Sequence, residues 1–185
     1  PKDRVSEFQR RQMTTANSNK VNLCEISGTF DDCQNIVKDI LADNEFKNKN
    51  NISAVNSINW ARVMIQVVYY FFSALRLDNC ESKYNFSVPT GNFGDVYAGY
   101  IAKKMGLNIN RLIVATNEND ILDRFFKTGQ YTLREVIKTS SPSMDIQVAS
   151  NFERLLFDAL NRSSLEINEK MDNFKINGNI SVTSQ

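Results

Sequence analysis

The sequence predicts an α/β fold, a parallel sheet with flanking helices, and three features lead to it. Tyr84–Val88 and Arg111–Ala115 are apolar strand patterns separated by one helical pattern, Val96–Met105. A strand–helix–strand unit of about 30 residues is the size of a parallel, right-handed crossover. The second run, Arg111-Leu112-Ile113-Val114-Ala115, has no polar alternation, as expected of a strand covered by helices on both faces. The third feature is the helix Trp60–Leu77, apolar nearly all round, a pattern that belongs between layers of a larger α/β body.

Taken in order, Pro1–Asn19 is polar, with Arg4, Arg10 and Arg11 around Val5, Phe8 and Met13, and reads as a short amphipathic helix or a connection. Val21–Ile26 alternates apolar and polar and predicts a half-buried strand. Ser27-Gly28-Thr29 marks a turn, with Thr29 as helix cap and Asp31 and Asp32 in the first turn. Phe30, Cys33, Ile36, Val37, Ile40 and Leu41 then share one face of a helix. The polar run Lys47–Asn51 predicts a domain boundary, Ile52–Val55 a short strand, and Asn56–Asn59 a turn with capping chemistry.

Within Trp60–Leu77, Arg62, Gln66, Ser73 and Arg76 interrupt the apolar sequence, so no run approaches the roughly 18 residues of a membrane span. Pro89 suits the end of the first strand, and Gly106 the end of the helix after it. Thr116–Asn119 leads into a helix over Asp120–Lys127, stopped by Gly129. Thr132–Thr139 reads as one or two further helical turns, and Ser140–Ser143 as a loop. Ala149–Asn151 opens a helix to Leu160 with Phe152, Leu155, Leu156 and Ala159 inward. Leu165–Phe174 reads as a weak helix, followed by a loop or tail.

Bulk properties narrow the function. The 185 residues carry a net charge of +1, which supplies no field for nucleic acid or an anionic membrane. The chain contains no histidine, which excludes Ser-His-Asp and Cys-His nucleophile systems within it and argues against a zinc site. Cys24, Cys33 and Cys80 have no paired spacing and read as packing residues in a reducing, cytoplasmic setting. The first residues do not read as a signal peptide, because they are charged and lack an apolar core.

Two constellations carry chemistry. Val88-Pro89-Thr90-Gly91-Asn92-Phe93-Gly94-Asp95 runs from a strand end through a glycine-bracketed turn into a helix start. There the unpaired N–H groups and the helix dipole favour an anion, most often a phosphate. The pattern matches neither the dinucleotide fingerprint nor the P-loop, and a turn built for geometry alone is the competing reading. Asp95 would repel a phosphate unless it points outward. The second constellation, Asn56-Ser57-Ile58-Asn59-Trp60-Ala61-Arg62, gathers two amides, a hydroxyl and a guanidinium at a helix start. Arg62 on an apolar helix needs either a phosphate or a structural carboxylate.

Five blocks together resemble threonine synthases of the longer bacterial and fungal branch: Gly28-Thr29-Phe30-Asp31-Asp32-Cys33-Gln34, Ala54–Arg62, Val88–Asp95, Ala115–Leu122, and Ser141–Ile146 followed by Ser150-Asn151-Phe152-Glu153-Arg154. The resemblance runs from Arg4 to about Leu160. It implies a fold type II, tryptophan synthase β-like enzyme using pyridoxal 5′-phosphate to convert O-phospho-L-homoserine and water to L-threonine and phosphate. It further implies that Gly91, Asn92, Phe93, Gly94 and Asp95 hold the cofactor phosphate, and that Asn56, Ser57 and Arg62 face the substrate phosphate. By the same resemblance, residues 1–51 belong to the smaller mobile domain and residues 52–160 to the larger one. Cofactor and substrate would lie in the cleft between these domains, and residues 161–185 form a polar tail or the start of the next segment.

The family's Schiff-base lysine sits in a Phe-Lys-Asp block that this chain does not contain; Lys2-Asp3 is not preceded by Phe. The segment that contacts the pyridine nitrogen has no match after Leu160 either. The expectation is therefore an internal part of the enzyme with no catalytic lysine and open strand edges that favour pairing of two copies. No metal is expected. Two rival readings are a related phospholyase using the same cofactor and a non-catalytic phosphate-binding fragment.

Overall fold

Two parallel strands bridged by one helix belong to the second of two units in the computed structural model, which describes residues 2, 5–15, 18–28, 30–54 and 56–182, with backbone alone at 30 and 31. The chain forms two units, Pro1–Ala54 and Val55–Gln185.

The first unit holds helices α1 (Glu7–Thr14), α2 (Phe30–Ala42) and α3 (Asn44–Asn50). Ser6 caps α1 by accepting from Gln9 N at 3.2 Å, and Glu7 pairs with both Arg10 and Arg11. Asp43 caps α3 by accepting from Phe46 N at 2.9 Å, so the stretch expected to be only a polar boundary contains a helix. α2 matches the expected amphipathic helix, although Ile36, Val37 and Ile40 are exposed. The strand expected over Val21–Ile26 is irregular chain. Alternation sets which side chains share a face, but a strand also needs a partner ladder. Among the described residues this segment's backbone finds only isolated bonds, Lys2 N to Ile26 O at 2.8 Å and Val21 N to Ser18 O at 3.1 Å. Ile52–Ala54 likewise forms no strand. Arg4, the cap expected at Thr29, the side chains of Phe30 and Asp31, and Val55 lie outside the described residues.

The second unit begins with α4 (Trp60–Asp78), capped by Asn59, whose side chain accepts from Ala61 N at 2.9 Å. Val63, Val67, Tyr70 and Ala74 recur at helical spacing and are buried. The opposite side, Met64, Ile65, Val68, Tyr69, Phe72 and Leu75, is exposed, so the helix expected to be sandwiched has one face covered. β1 (Tyr84–Pro89) pairs in parallel with β2 (Ile109–Ala115), joined by α5 (Gly94–Lys104), which packs on α4. Ile113 is 48% exposed, which corrects the expectation of a strand buried on both faces: the sheet is uncovered there.

α6 (Ile121–Thr128) ends at Gly129, whose φ of 72° is the left-handed cap. The segment after it is not helical. β3 (Gln130–Thr132) is followed by extended chain, because its N–H groups find partners across the fold rather than one turn back. Leu133 N donates to Gly178 O at 2.9 Å, Ile137 N to Asn119 Oδ1 at 2.8 Å and Thr139 N to Asp145 Oδ2 at 2.8 Å. A short 3-10 turn at Pro142–Met144 replaces the expected loop. α7 (Phe152–Ala159) buries Phe152 and Leu156, with Leu155 partly buried and Ala159, expected inward, exposed.

The polar C-terminal stretch forms α8 (Ser164–Asn177) and β4 (Asn179–Ser181), which pairs antiparallel with β3 where a loop or tail was expected. Ile167 and Phe174 bury α8 on the core. Phe125, Tyr131 and Phe152 form the aromatic centre, with the Tyr131 and Phe152 rings stacked at 4.6 Å. Among the described residues, no helix is long and apolar enough to cross a membrane.

Candidate functional site

The turn between β1 and α5 faces a cavity of about 170 Å³. Ser57, Arg62 and Gln66 line it from one side, and Pro89 to Val96 from the other. The sequence-nominated loop Gly91–Asp95 and two members of the second constellation, Ser57 and Arg62, therefore meet at one place. Asn56 does not line the cavity; its side-chain oxygen accepts from Ile58 N at 3.1 Å and closes a local turn.

The geometry of the turn follows from its ends. Thr90 N continues the sheet by donating to Ala115 O at 2.8 Å, and its hydroxyl donates to Val88 O at 2.7 Å. The chain then reverses through Phe93, whose φ of 64° is left-handed, a conformation that costs a non-glycine residue about 1 kcal/mol or more. Burial of the Phe93 ring against Phe126 and Phe152 holds it there. The first ladder bond of α5 runs from Tyr97 N to Phe93 O at 3.1 Å. Among the described residues, the N–H groups of Gly91 through Val96 have no acceptor. These are the orphan donors of a helix start, joined by those of the turn.

The glycines mark close approaches. A Cβ on Gly91 would lie 2.7 Å from Ser143 O, and one on Gly94 would lie 3.4 Å from Asn151 Nδ2 and 3.5 Å from Gln66 Oε1. Asp95 does not point outward. Its Oδ1 is buried without a partner among the described residues, and burial raises its pKa, partly offset by Tyr70. The Tyr70 hydroxyl donates to the Asp95 backbone carbonyl at 2.9 Å, and burial pushes its own pKa well up.

Arg62 forms no ion pair among the described residues, so the structural carboxylate that sequence reasoning set against a phosphate has no counterpart. No lysine lines the cavity; Lys104 pairs with Asp158 and Lys127 with Asp123. The described residues contain no cluster of metal-ligating side chains.

Sequence reasoning missed three residues here. Gln66 lies one turn after Arg62 on the same face of α4, a spacing that was visible in the sequence. Asn151 is fully buried; its Nδ2 donates to Ser57 O at 2.8 Å and to Asn92 O at 3.0 Å. Arg154 donates from Nε to Asn151 Oδ1 at 3.0 Å and from Nη2 to Ile58 O at 2.8 Å, with its guanidinium 5.4 Å from the centre of the Trp60 ring.

Threonine synthase of Pseudomonas aeruginosa is 52% identical over 185 residues, covering 100% of this chain and 39% of the Pseudomonas protein. Along its whole length the chain is similar to threonine synthase. The yeast Saccharomyces cerevisiae threonine synthase is 54% identical over 160 residues, 85% of this chain and 31% of its own length. A crystal structure of PLP-bound threonine synthase from Brucella melitensis superposes with a TM-score of 0.87 at 52% identity, covering 100% of this chain and 40% of that one. The fold is therefore that of the fold type II threonine synthases. The chain spans between about a third and two fifths of these relatives. No protein-family model matches it.

Proposed function

We propose that this chain supplies the two phosphate-binding segments of a threonine synthase, a lyase of threonine biosynthesis that uses pyridoxal 5′-phosphate. The reaction converts O-phospho-L-homoserine and water to L-threonine and phosphate. One observation carries the reading: Gly91 to Val96, whose N–H groups have no acceptor among the described residues, line the same cavity as Arg62. In this reading residues 1–51 belong to the smaller domain, residues 52–160 to the larger one, and residues 161–185 are a polar tail or the start of the next segment.

The donor set fits a phosphate ester. Backbone N–H groups need no side-chain reorganisation. Gly91, Asn92, Phe93, Gly94 and Asp95 hold the cofactor phosphate through these groups. Pyridoxal 5′-phosphate, when bound, supplies the electron sink that lets bonds at the substrate carbons break. Arg62 binds the substrate phosphate with its planar fork, and the Ser57 hydroxyl donates beside it. Asn56 shapes the turn that presents Ser57. As the C–O bond to phosphate breaks, charge gathers on the leaving oxygen, where the Arg62 guanidinium stabilises it. Water then adds at the neighbouring carbon. Proton transfers between carbons need a basic group near the cofactor, and none of the cavity-lining side chains here supplies a lysine for it.

Three unpaired thiols, Cys24, Cys33 and Cys80, support a reducing, cytoplasmic location. Among the described residues the two-stranded parallel pair leaves a free edge on each strand, which supports pairing of two copies when the chain is isolated.

The test is an exchange enzyme: Pseudomonas aeruginosa threonine synthase with its aligned segment replaced by this chain. The expected result is retention of pyridoxal 5′-phosphate in preference to pyridoxal, and equal release of threonine and phosphate from O-phosphohomoserine. A folded exchange enzyme that does neither overturns the proposal.

A further inference from the structure

Asn151 precedes α7, far along the chain from either phosphate-facing segment, yet it ties them together. Its side chain is fully buried and both ends of the amide are used. One nitrogen reaches two carbonyls, Ser57 O and Asn92 O, and the Asn151 backbone N–H also donates to Asn92 O at 3.0 Å. We infer that Asn151 is a positioning residue that aims the loop's donors and registers them against the Ser57 segment. This inference rests on the proposed reading of the site.

The aiming follows from peptide geometry. The carbonyl of Asn92 and the N–H of Phe93 belong to one planar trans unit and point in opposite directions. Fixing Asn92 O on Asn151 therefore turns the Phe93 N–H away from Asn151, and that N–H is among the acceptor-free donors of the turn. The same logic holds for Ser57 O and the peptide that follows it. Ser150 adds a second tie, its hydroxyl donating to Asn92 Oδ1 at 3.3 Å. Arg154 sets the sense of the amide. Its Nε occupies Asn151 Oδ1, so the nitrogen end must face the two carbonyls; reversed, an oxygen would oppose both. Arg154 is itself held by Ile58 O and the Trp60 ring, within the segment that carries Arg62.

Asn151→Asp in the exchange enzyme separates positioning from packing, because it keeps the volume and the acceptor for Arg154 but removes both side-chain donors. The expected result is a rise of about tenfold or more in both the Kd for pyridoxal 5′-phosphate and the KM for O-phosphohomoserine. Affinity for pyridoxal, which has no phosphate to aim at, changes much less, and kcat falls less than kcat/KM. A lower melting temperature with Kd and KM unchanged overturns the inference, since a purely structural residue would give that pattern. Should Asn151→Asp fail to fold, Asn151→Ser keeps one donor and is expected to raise both constants by a smaller factor; a rise in neither overturns it. If the parent exchange enzyme neither retains the cofactor nor releases phosphate, the functional reading fails and the inference with it. A working parent with an unaffected Asn151→Asp defeats the inference alone.

Discussion

The ring of Phe93 meets that of Phe152 edge to face, 5.6 Å between centres, while the Phe93 backbone sits at a left-handed φ of 64°. A buried aromatic thus holds a strained turn in shape, and its removal is expected to act twice. Phe93→Ala leaves the strain and deletes the anchor, costing about 3–5 kcal/mol of stability. In the exchange enzyme, cofactor should be lost at lower temperature than the global unfolding transition, because the turn is released first. Differential scanning calorimetry alongside cofactor fluorescence measures both; coincident losses would show that the turn is not held by this contact.

The two loop glycines should respond differently. Gly91→Ala places a methyl 2.7 Å from Ser143 O, a backbone atom that cannot swing aside, so a loss of about 1–3 kcal/mol is expected. At Gly94 the nearest atoms are 3.4 and 3.5 Å away, and both belong to side chains. Gly94→Ala is therefore expected to change stability by less than about 1 kcal/mol, since alanine also favours the helix. Gly94→Val carries two further methyls toward the donors and should weaken cofactor binding while the protein stays folded. Urea titration and cofactor Kd decide the pair; equal stability losses at both glycines would contradict the different spacing around them.

Much of this site was legible because local chemistry dictated it. Pro89 ended the strand, Gly91 and Gly94 bracketed the turn, and Asn59 capped the helix where capping chemistry placed it. What was not legible depended on partners distant in sequence. Val21–Ile26 has the strand alternation but no ladder, and Thr132–Thr139 spends its N–H groups on Gly178, Asn119 and Asp145. Asn151 read as a helix-opening residue, and nothing local shows that its amide reaches Ser57 and Asn92. Asp95 could be recognised as an obstacle to phosphate, but its burial beside Tyr70 could not.

In the proposed reading, Arg62 serves the substrate phosphate and not that of the cofactor. It faces the loop across the cavity without any carboxylate partner among the described residues, so its substitution exposes no buried counter-charge. Arg62→Met retains the apolar stem and removes the fork. The KM for O-phosphohomoserine should rise by about tenfold or more, with cofactor Kd within about twofold of the parent. Steady-state kinetics and cofactor titration on the exchange enzyme check this. Equal loss of both affinities would assign Arg62 a structural role.

Asp95 makes stability depend on pH. Burial raises its native pKa above the ordinary carboxylate value, so the folded protein holds this proton more tightly than the unfolded chain. The resulting penalty is absent below the unfolded pKa, near about pH 4, and is fully present above the raised native value. A charge in the first turn of α5 also gains from the helix dipole, but the upward net shift means that desolvation wins. Asp95→Asn removes the charge and keeps the shape, and the Tyr70 bond survives because it ends on the backbone carbonyl. The variant is therefore expected to melt higher at pH 7, with the gain shrinking toward zero as pH falls to about 4. Its affinity for pyridoxal 5′-phosphate should also rise at neutral pH, since a like charge beside the phosphate is gone. Melting curves between pH 4 and pH 8 measure the first effect and cofactor titration the second. A gain that grows toward acid would mean that the Asp95 carboxylate, when ionised, stabilises the loop instead of opposing it.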